Sequence, residues 1–210
     1  VADTGSHTVY RVTPTGDGAV VAGTGYAGFS GDRGPADSTA VRLSYPADVA
    51  LDRLGAIYIA DSGNGRIRKV MYQGSGDKPF IFTEAGGGQT PPFGGEYTTE
   101  DPFLSALSSP RGVWVDAAGA VYIADWGYSL VRKLEGGTLK IIAGASRSRG
   151  DGGPATSASL YYPRSVAVVT DGNLLIADTR NNKIREFSPG GNITTRAGTG
   201  LAGDKGDGTP

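Results

Sequence analysis

The sequence predicts an all-β fold, a β-propeller of four-stranded antiparallel blades, on three observations. Glycine supplies 35 of the 210 residues, and these glycines recur between apolar segments, as in short strands joined by tight turns. The apolar segments run for about four to seven residues, which suits strands and is too short for helices. One pattern of segments repeats in register along nearly the whole chain, and radial repetition of small antiparallel sheets gives a propeller.

The repeating pattern reads Leu-x-x-Pro, Val-x-Val, a turn, Tyr-Ile-Ala-Asp, a polar loop, Ile-Arg-Lys and Ala-Gly. Its proline recurs at Pro46, Pro110 and Pro163, with spacings of 64 and 53 residues. The aspartate recurs at positions 3, 61, 125 and 178, and its last two spacings are again 64 and 53 residues. Matching steps in separate elements indicate a true structural repeat.

Each complete unit contains four apolar runs, here lettered A to D. In the third unit the runs are 113–115, 121–124, 130–134 and 139–143. The B run, Val-Tyr-Ile-Ala, is apolar at every position, so both faces of this strand are expected to be buried. A blade packed between two neighbouring blades meets that requirement.

The chain resembles the NHL repeat family in three stretches, PADVALDRLGAIYIADSGNGRIRKV, PRGVWVDAAGAVYIADWGYSLVRKL and PRSVAVVTDGNLLIADTRNNKIREF. The linkers GDRGPADSTAVRL and GDGGPATSASL also resemble those of secreted and bacterial members. The resemblance implies a propeller that commonly has six blades. It specifies function only weakly, because NHL propellers serve as adhesion modules, sensor domains, RNA readers and a few lyases.

The repeat boundaries predict about three and a half blades. Residues 1–42 form the end of one blade plus a linker, 43–106 a blade with a long insertion, and 107–159 and 160–210 two further blades. This count is below six and leaves two sheet surfaces uncovered. We therefore expect a partial propeller, completed by a longer chain or by self-association through the open blade faces.

Six charged residues recur with the repeat and are expected to be structural. Each aspartate at the end of strand B is followed seven positions later by an arginine in strand C, which predicts a charge-assisted hydrogen bond within the blade. The pairs are Asp61 with Arg68, Asp125 with Arg132 and Asp178 with Arg185.

The candidate binding residues lie on one face of the blades. Antiparallel connectivity brings the B–C loops and the D–A linkers to the same end, and exposed aromatic side chains there suit a sugar ring or a protein partner. The predicted ligand-binding residues are Trp126, Tyr128, Tyr97, Phe93, Arg180 and Asn181. The alternative is that these aromatics only pack the long insertion against the propeller.

Few residues suit metal or catalytic chemistry. There is no cysteine, and His7 is the one histidine, so no metal site or catalytic residue is predicted. Asp32, Asp151, Asp204 and Asp207 of the Gly-Asp-x-Gly linkers could bind calcium. The same residues are also typical of turns in which aspartate bonds its own backbone.

The remaining features bear on location and partners. The formal charge of −1 gives no reason to expect a nucleic acid or an anionic membrane, and no apolar run is long enough to span a membrane. Asn192 begins an N-glycosylation sequon, which favours an extracellular or cell-surface location.

These observations favour a non-catalytic interaction module that binds a protein or a glycan. Two alternatives remain open. One is part of a six-bladed enzyme of the lyase or lactonase type, whose active-site residues lie mostly outside this segment. The other is a structural subunit of a homo-oligomer or fibre.

Overall fold

The computed structural model describes residues 1–72, 78–89, 101–144 and 150–203. Within these residues it has one three-stranded and three four-stranded sheets, all antiparallel, in the chain order that we call blades 1 to 4. The predicted all-β fold of four-stranded antiparallel blades is confirmed.

The strands follow the repeat. Blade 1 contains β1 (Ala2–Asp3), β2 (Thr8–Val12) and β3 (Gly18–Ala22). Blade 2 contains β4 (Pro46–Leu51), β5 (Ile57–Asp61), β6 (Arg66–Tyr72) and β7 (Pro79–Gly86). Blade 3 contains β8 (Pro110–Val115), β9 (Val121–Asp125), β10 (Leu130–Glu135) and β11 (Thr138–Ala143). Blade 4 contains β12 (Pro163–Val168), β13 (Leu174–Asp178), β14 (Lys183–Phe187) and β15 (Ile193–Ala197). Single 3-10 turns occur at Ser62–Asn64, Ala155–Ser157 and Thr179–Asn181.

The A strands form the inner edges of the blades. In blades 2 to 4 the strands pair in sequence order, so β4, β8 and β12 lie at one edge of their sheets and β7, β11 and β15 at the other. β8 contacts both β4 and β12 across the blade boundaries. This arrangement places β4, β8 and β12 around the propeller axis, as expected of radially repeated sheets.

The core lies between blades. One apolar cluster joins blades 1 and 2, a second joins blades 2 and 3, and a third joins blades 3 and 4. All five residues of β9 are buried, because this strand packs on blade 2 with one face and on blade 4 with the other. The uninterrupted apolar B run follows from that two-sided burial.

The Ala-Gly element at the end of strand D is explained by a close backbone approach. Gly144 follows β11 with a φ of 100°, a value that disfavours residues with a side chain. A Cβ atom at this position would collide with the carbonyl oxygen of Ser129 in the B–C loop of the same blade. The glycine therefore lets the end of strand D pass against that loop.

The linkers before blades 2 and 4 cover the outer strand of the blade that follows. The Ile81 amide donates to the Gly34 carbonyl at 3.0 Å, and the Ile193 amide donates to the Gly153 carbonyl at 2.9 Å. Each linker thus satisfies backbone groups at the edges β7 and β15, which would otherwise be open to pairing with other strands. The sequence motif did not predict this edge-covering role.

Candidate functional site

The three repeated Asp-Arg pairs lie in contact inside their blades. The side chains are fully or almost fully buried, with N–O distances of 3.4 Å for Arg68 to Asp61, 3.7 Å for Arg132 to Asp125 and 3.2 Å for Arg185 to Asp178. The Oδ1 atom of each aspartate also accepts a backbone N–H from the segment that leads into strand A. These donors are Ser44 at 2.7 Å, Ser108 at 2.8 Å and Tyr161 at 2.7 Å. The pairs therefore tie the B–C loop to the inner strand of the blade.

Asp32 and Asp151, the Gly-Asp-x-Gly aspartates in the described part of the chain, extend two of these buried pairs. Asp32 lies 2.6 Å from Arg68, and Asp151 lies 2.7 Å from Arg185. The second oxygen of each accepts a threonine hydroxyl of strand D. Their carboxylates are thus used to bind the linker to the blade. Asp204 and Asp207 lie outside the described residues, and within residues 1–72, 78–89, 101–144 and 150–203 no three His, Cys, Asp or Glu side chains are grouped to hold a metal ion.

An asparagine completes the buried pair in blades 2 and 4 but not in blade 3. Asn64 donates to the Oδ2 atom of Asp61 at 2.7 Å, and Asn181 donates to the same atom of Asp178 at 2.8 Å. Asn181, a predicted ligand-binding residue, is therefore engaged within its own blade. The equivalent of these asparagines in blade 3 is Tyr128. The repeated spacing Asp-x-x-Asn in DSGN and DTRN was the sequence signal for this contact.

Asp125 lacks that amide donor and is buried. Its Oδ2 atom is buried without a hydrogen-bond partner in the described residues. Burial raises the pKa of Asp125 to about 7, although the Ser108 backbone N–H and the charge of Arg132 act in the opposite direction. Blade 3 thus has a buried carboxyl with a raised pKa and no asparagine donor directly behind its B–C loop.

Trp126 belongs to a stack of aromatic rings that bridges blades 3 and 4. Its ring centroid lies 4.3 Å from that of Tyr162 with an interplanar angle of 24°, and Tyr162 stacks on Tyr161 at 4.7 Å and 29°. The guanidinium of Arg111 lies 4.9 Å from the Trp126 centroid, and that of Arg180 lies 5.4 Å from the Tyr162 centroid. We call these five residues the aromatic ladder. Trp126 is half-buried, whereas Tyr161 is 45% exposed.

The sequence identified Trp126 and Arg180 of the ladder and missed the other three residues. The missed signal was the doubled tyrosine of LYYP, where the other units have LSYP and LSSP. Tyr128 is half-buried. Phe93 and Tyr97 lie outside the described residues, so their predicted place on this face stays a prediction.

A cavity of about 400 Å³ opens at the inner edges of the blades, beside the ladder. Its lining residues come from the starts of the A strands and from neighbouring loops: Thr4, Tyr45, Ala47, Asp48, Ser62, Arg111, Arg164 and Ser165. We call this cavity the channel mouth. Arg111 belongs both to the channel mouth and to the ladder, so the two form one continuous surface.

A β-bulge shapes the channel mouth in each blade from 2 to 4. The pairing of strands A and B shifts register between Pro46 and Asp48, between Pro110 and Gly112, and between Pro163 and Ser165. The extra residue in the three bulges is Ala47, Arg111 and Arg164 respectively. A bulge redirects the extra side chain from the sheet, and all three residues line the channel mouth.

Comparison with known proteins gives matches in sequence and in structure. The NHL repeat profile matches residues 43–70 and 160–187. Mouse Teneurin-1 is 29% identical over 176 residues, which cover 72% of this chain and 6% of that protein. Chloroplastic SUPPRESSOR OF QUENCHING 1 from Arabidopsis thaliana is 27% identical over 201 residues, which cover 88% of this chain and 18% of that protein. The chain thus spans less than a fifth of these relatives.

Among solved structures, an auxiliary nutrient binding protein from Bacteroides thetaiotaomicron matches with a TM-score of 0.61 at 14% identity, covering 92% of this chain and 44% of that one. Virginiamycin B lyase from Staphylococcus aureus matches with a TM-score of 0.51 at 15% identity, covering 93% of this chain and 53% of that one. At these identities the likeness concerns the fold alone. Among the described helices, none has the length and apolar character needed to cross a membrane.

Proposed function

We propose that this chain, whose NHL repeats fold into β-propeller blades, is a non-catalytic extracellular interaction module that binds a protein partner through the face of its B–C loops. The aromatic ladder is the observation that carries the proposal. Tyrosine, tryptophan and arginine are the residues most often found at the energetic centres of protein interfaces. Here they occur together at one blade boundary.

The ladder provides a rigid surface. Stacked rings and overlying guanidinium groups stabilise one another, so little side-chain freedom remains to be lost when a partner binds. Tyr161, at 45% exposure, and Arg180, which is also exposed, are the members that a partner reaches first. They are expected to contribute most of the binding energy.

The stacking geometry favours a protein over a glycan. A sugar stacks on an open aromatic face, whereas Trp126 and Tyr161 both stack on Tyr162. The guanidinium groups of Arg111 and Arg180 lie over the Trp126 and Tyr162 rings. The ladder therefore presents aromatic rings together with guanidinium groups, which suit the carbonyl, carboxylate and apolar groups of a protein surface.

The extracellular part of the proposal rests on the sequon. Asn192, at the turn before β15, and Thr194, in β15, are both exposed, which leaves room for a glycan. Expression through a eukaryotic secretory pathway should give a species that a glycosidase for N-linked glycans converts to lower mass. Thr194→Ala should abolish the shift, and an unmodified wild-type chain would count against this part of the proposal.

Photo-crosslinking tests the binding face. A photoreactive phenylalanine analogue at position 161 should crosslink the chain to a protein on the surface of cells from its source organism. The same analogue at position 54 is the matched control, because Leu54 is 94% exposed in the β4–β5 turn at the opposite end of blade 2. Equal crosslinking from both positions would refute a specific face.

Two further treatments complete the test. Arg180→Ala should reduce crosslinking from position 161, whereas Arg53→Ala, the same change in the exposed β4–β5 turn, should not. Protease treatment of the cells should remove the crosslinked species. Its removal by glycosidases alone would assign the face to a glycan and contradict the choice of a protein partner.

A further inference from the structure

We propose that the channel mouth is a carboxylate-binding site in which Arg111 and Arg164 are the recognition residues. The inference deepens the proposed function and rests on it for its biological setting, because the channel mouth adjoins the aromatic ladder through Arg111. The ladder would hold the surface of a partner, and the channel mouth would hold an acidic group.

A repeated bulge brings the two arginines together. Arg111 and Arg164 are the extra residues of equivalent bulges in neighbouring inner strands. A Cβ atom on Gly112 would lie 2.7 Å from the Arg164 carbonyl oxygen, so the two bulges are closely apposed. Two guanidinium groups carried by adjacent backbones and turned into one cavity can converge on a single anion.

Neither arginine forms an ion pair with a described carboxylate. In the described part of the chain, no carboxylate lies within 4.0 Å of Arg111 or Arg164, whereas Arg68 and Arg185 each contact two. The guanidinium groups of Arg111 and Arg164 are therefore left to pair with a bound carboxylate.

Among the described residues that line the channel mouth, Asp48 carries the one carboxylate. Both oxygens of Asp48 accept backbone N–H groups, from Val49 at 2.9 Å and from Val113 at 3.0 Å. Asp48 therefore bridges the inner strands of blades 2 and 3. Because both oxygens are already hydrogen-bonded, Asp48 competes weakly with an incoming anion. The described lining residues include two arginines and one aspartate, which give a net positive charge.

The lining residues indicate the chemical class of the ligand. Guanidinium groups bind planar carboxylates through paired hydrogen bonds. Ser165 lines the same cavity, whereas the hydroxyls of Thr4 and Ser62 already donate to the carbonyl oxygens of Pro46 and Pro110. A free small organic acid and a glutamate side chain of a protein partner share this chemistry. The test therefore uses one probe of each kind, glutarate and acetyl-Gly-Glu-Gly-amide.

The fluorescence of Trp126 can report the binding of glutarate or of the peptide. Because Arg111 lies against its ring, a carboxylate that binds Arg111 should change its fluorescence. Trp114→Phe removes the second tryptophan, which lies in β8 and is 40% exposed. In this background the full chain should give a saturable response to glutarate or to the peptide and none to glutaramide, which has the same shape without the charge.

Substitutions at the bulge position then identify the recognition residues. Arg164→Ala should weaken binding about tenfold, as expected for the loss of a charge-assisted hydrogen bond. Ala47 occupies the equivalent bulge in blade 2, which indicates that the position accepts alanine without loss of the fold. Ala47→Arg should strengthen binding severalfold. Arg53→Ala removes an arginine from the opposite end of blade 2 and is the matched control, with no expected effect.

The outcomes separate this inference from the proposed function. Equal weakening by Arg164→Ala and Arg53→Ala, equal binding of glutaramide, or no response to either acid would overturn the carboxylate site. Crosslinking from position 161 would still stand in those cases. Conversely, a glutarate response that depends on Arg164, without any crosslinking, would support the site while contradicting the protein partner.

Discussion

Tyr128→Asn should reduce the pH dependence of stability, because it restores the amide donor that the buried aspartate has in blades 2 and 4. An asparagine at this position has the Asp-x-x-Asn spacing that places an amide on Oδ2 of Asp61 and Asp178. The new donor should stabilise the charged form of Asp125, whose Oδ2 has no hydrogen-bond partner in the described residues. Its pKa should therefore fall.

The magnitude follows from the pKa of Asp125. Burial raises it from 3.8 to about 7, and each unit corresponds to about 1.36 kcal/mol. Because the folded-state pKa is the higher one, the associated stability is present below about pH 4 and is lost as pH rises through 7. The free energy of unfolding of the wild-type chain should fall by up to about 4 kcal/mol across this window. A hydrogen bond to a charged group contributes about 1.5–3 kcal/mol. In the Tyr128→Asn variant the free energy of unfolding should therefore fall by only about 1–3 kcal/mol across the same window.

Urea unfolding followed by circular dichroism at pH 4.5 and pH 8 measures this difference. Any packing that Tyr128 supplies is independent of pH and cancels between the two conditions. Asn181→Tyr is the reciprocal control, because it removes the equivalent amide donor from blade 4, and it should not reduce the pH dependence of the free energy of unfolding. If Tyr128→Asn and the wild type lose the same free energy of unfolding between the two pH values, the assigned role of the asparagine is wrong.

Three other substitutions test separate contacts. Trp126→Ala should lower the free energy of unfolding by about 1–3 kcal/mol, less than the loss of a core aromatic, because the ring is only half-buried. Urea unfolding measures this change. A loss above about 4 kcal/mol would show that Trp126 acts mainly in packing. Asp151→Asn should cost about 1 kcal/mol after allowance for its exposure. Although burial raises the pKa of Asp151, the Thr195 hydrogen bond and the charge of Arg185 hold it below its ordinary value, so this contribution should vanish as pH falls below 4 in acid titrations. Gly144→Ala should cost about 2–3 kcal/mol through backbone strain and should appear as a lower melting temperature; an unchanged melt would contradict the close approach in strand D.

The fold was predictable because its determinants are local and repeated. Strand length, the steps of 64 and 53 residues and the all-apolar B run specify the blades without knowledge of distant contacts. The covering of β7 and β15 by the linkers was not predictable in this way. It depends on the path of the linker around the outside of the blade, which no periodicity encodes.

The site was predictable only where a residue departs from the repeat. Trp126 stands out because other units carry serine or threonine at this position. Arg111 and Arg164 were missed because PRG and PRS read as ordinary strand residues, whereas the bulge that redirects them is a property of strand pairing. Tyr162 was missed because its stacking partner Trp126 lies in another blade, 36 residues earlier in the chain.

The B–C loop of blade 3 carries Trp126 and Tyr128 and lacks the asparagine that hydrogen-bonds the buried aspartate in blades 2 and 4. Departures from a local rule are expected at functional sites, where a loss of stability is tolerated. In blade 3 the departure leaves Asp125 buried with a raised pKa. Tyr128→Asn should therefore change two properties in opposite directions, with higher stability at pH 8 and weaker crosslinking of the chain to its partner. Crosslinking from position 161, compared with the unfolding curve of the same variant, measures both. If stability rises and crosslinking is unchanged, Tyr128 has no part in the binding face, and the departure in blade 3 serves Trp126 alone.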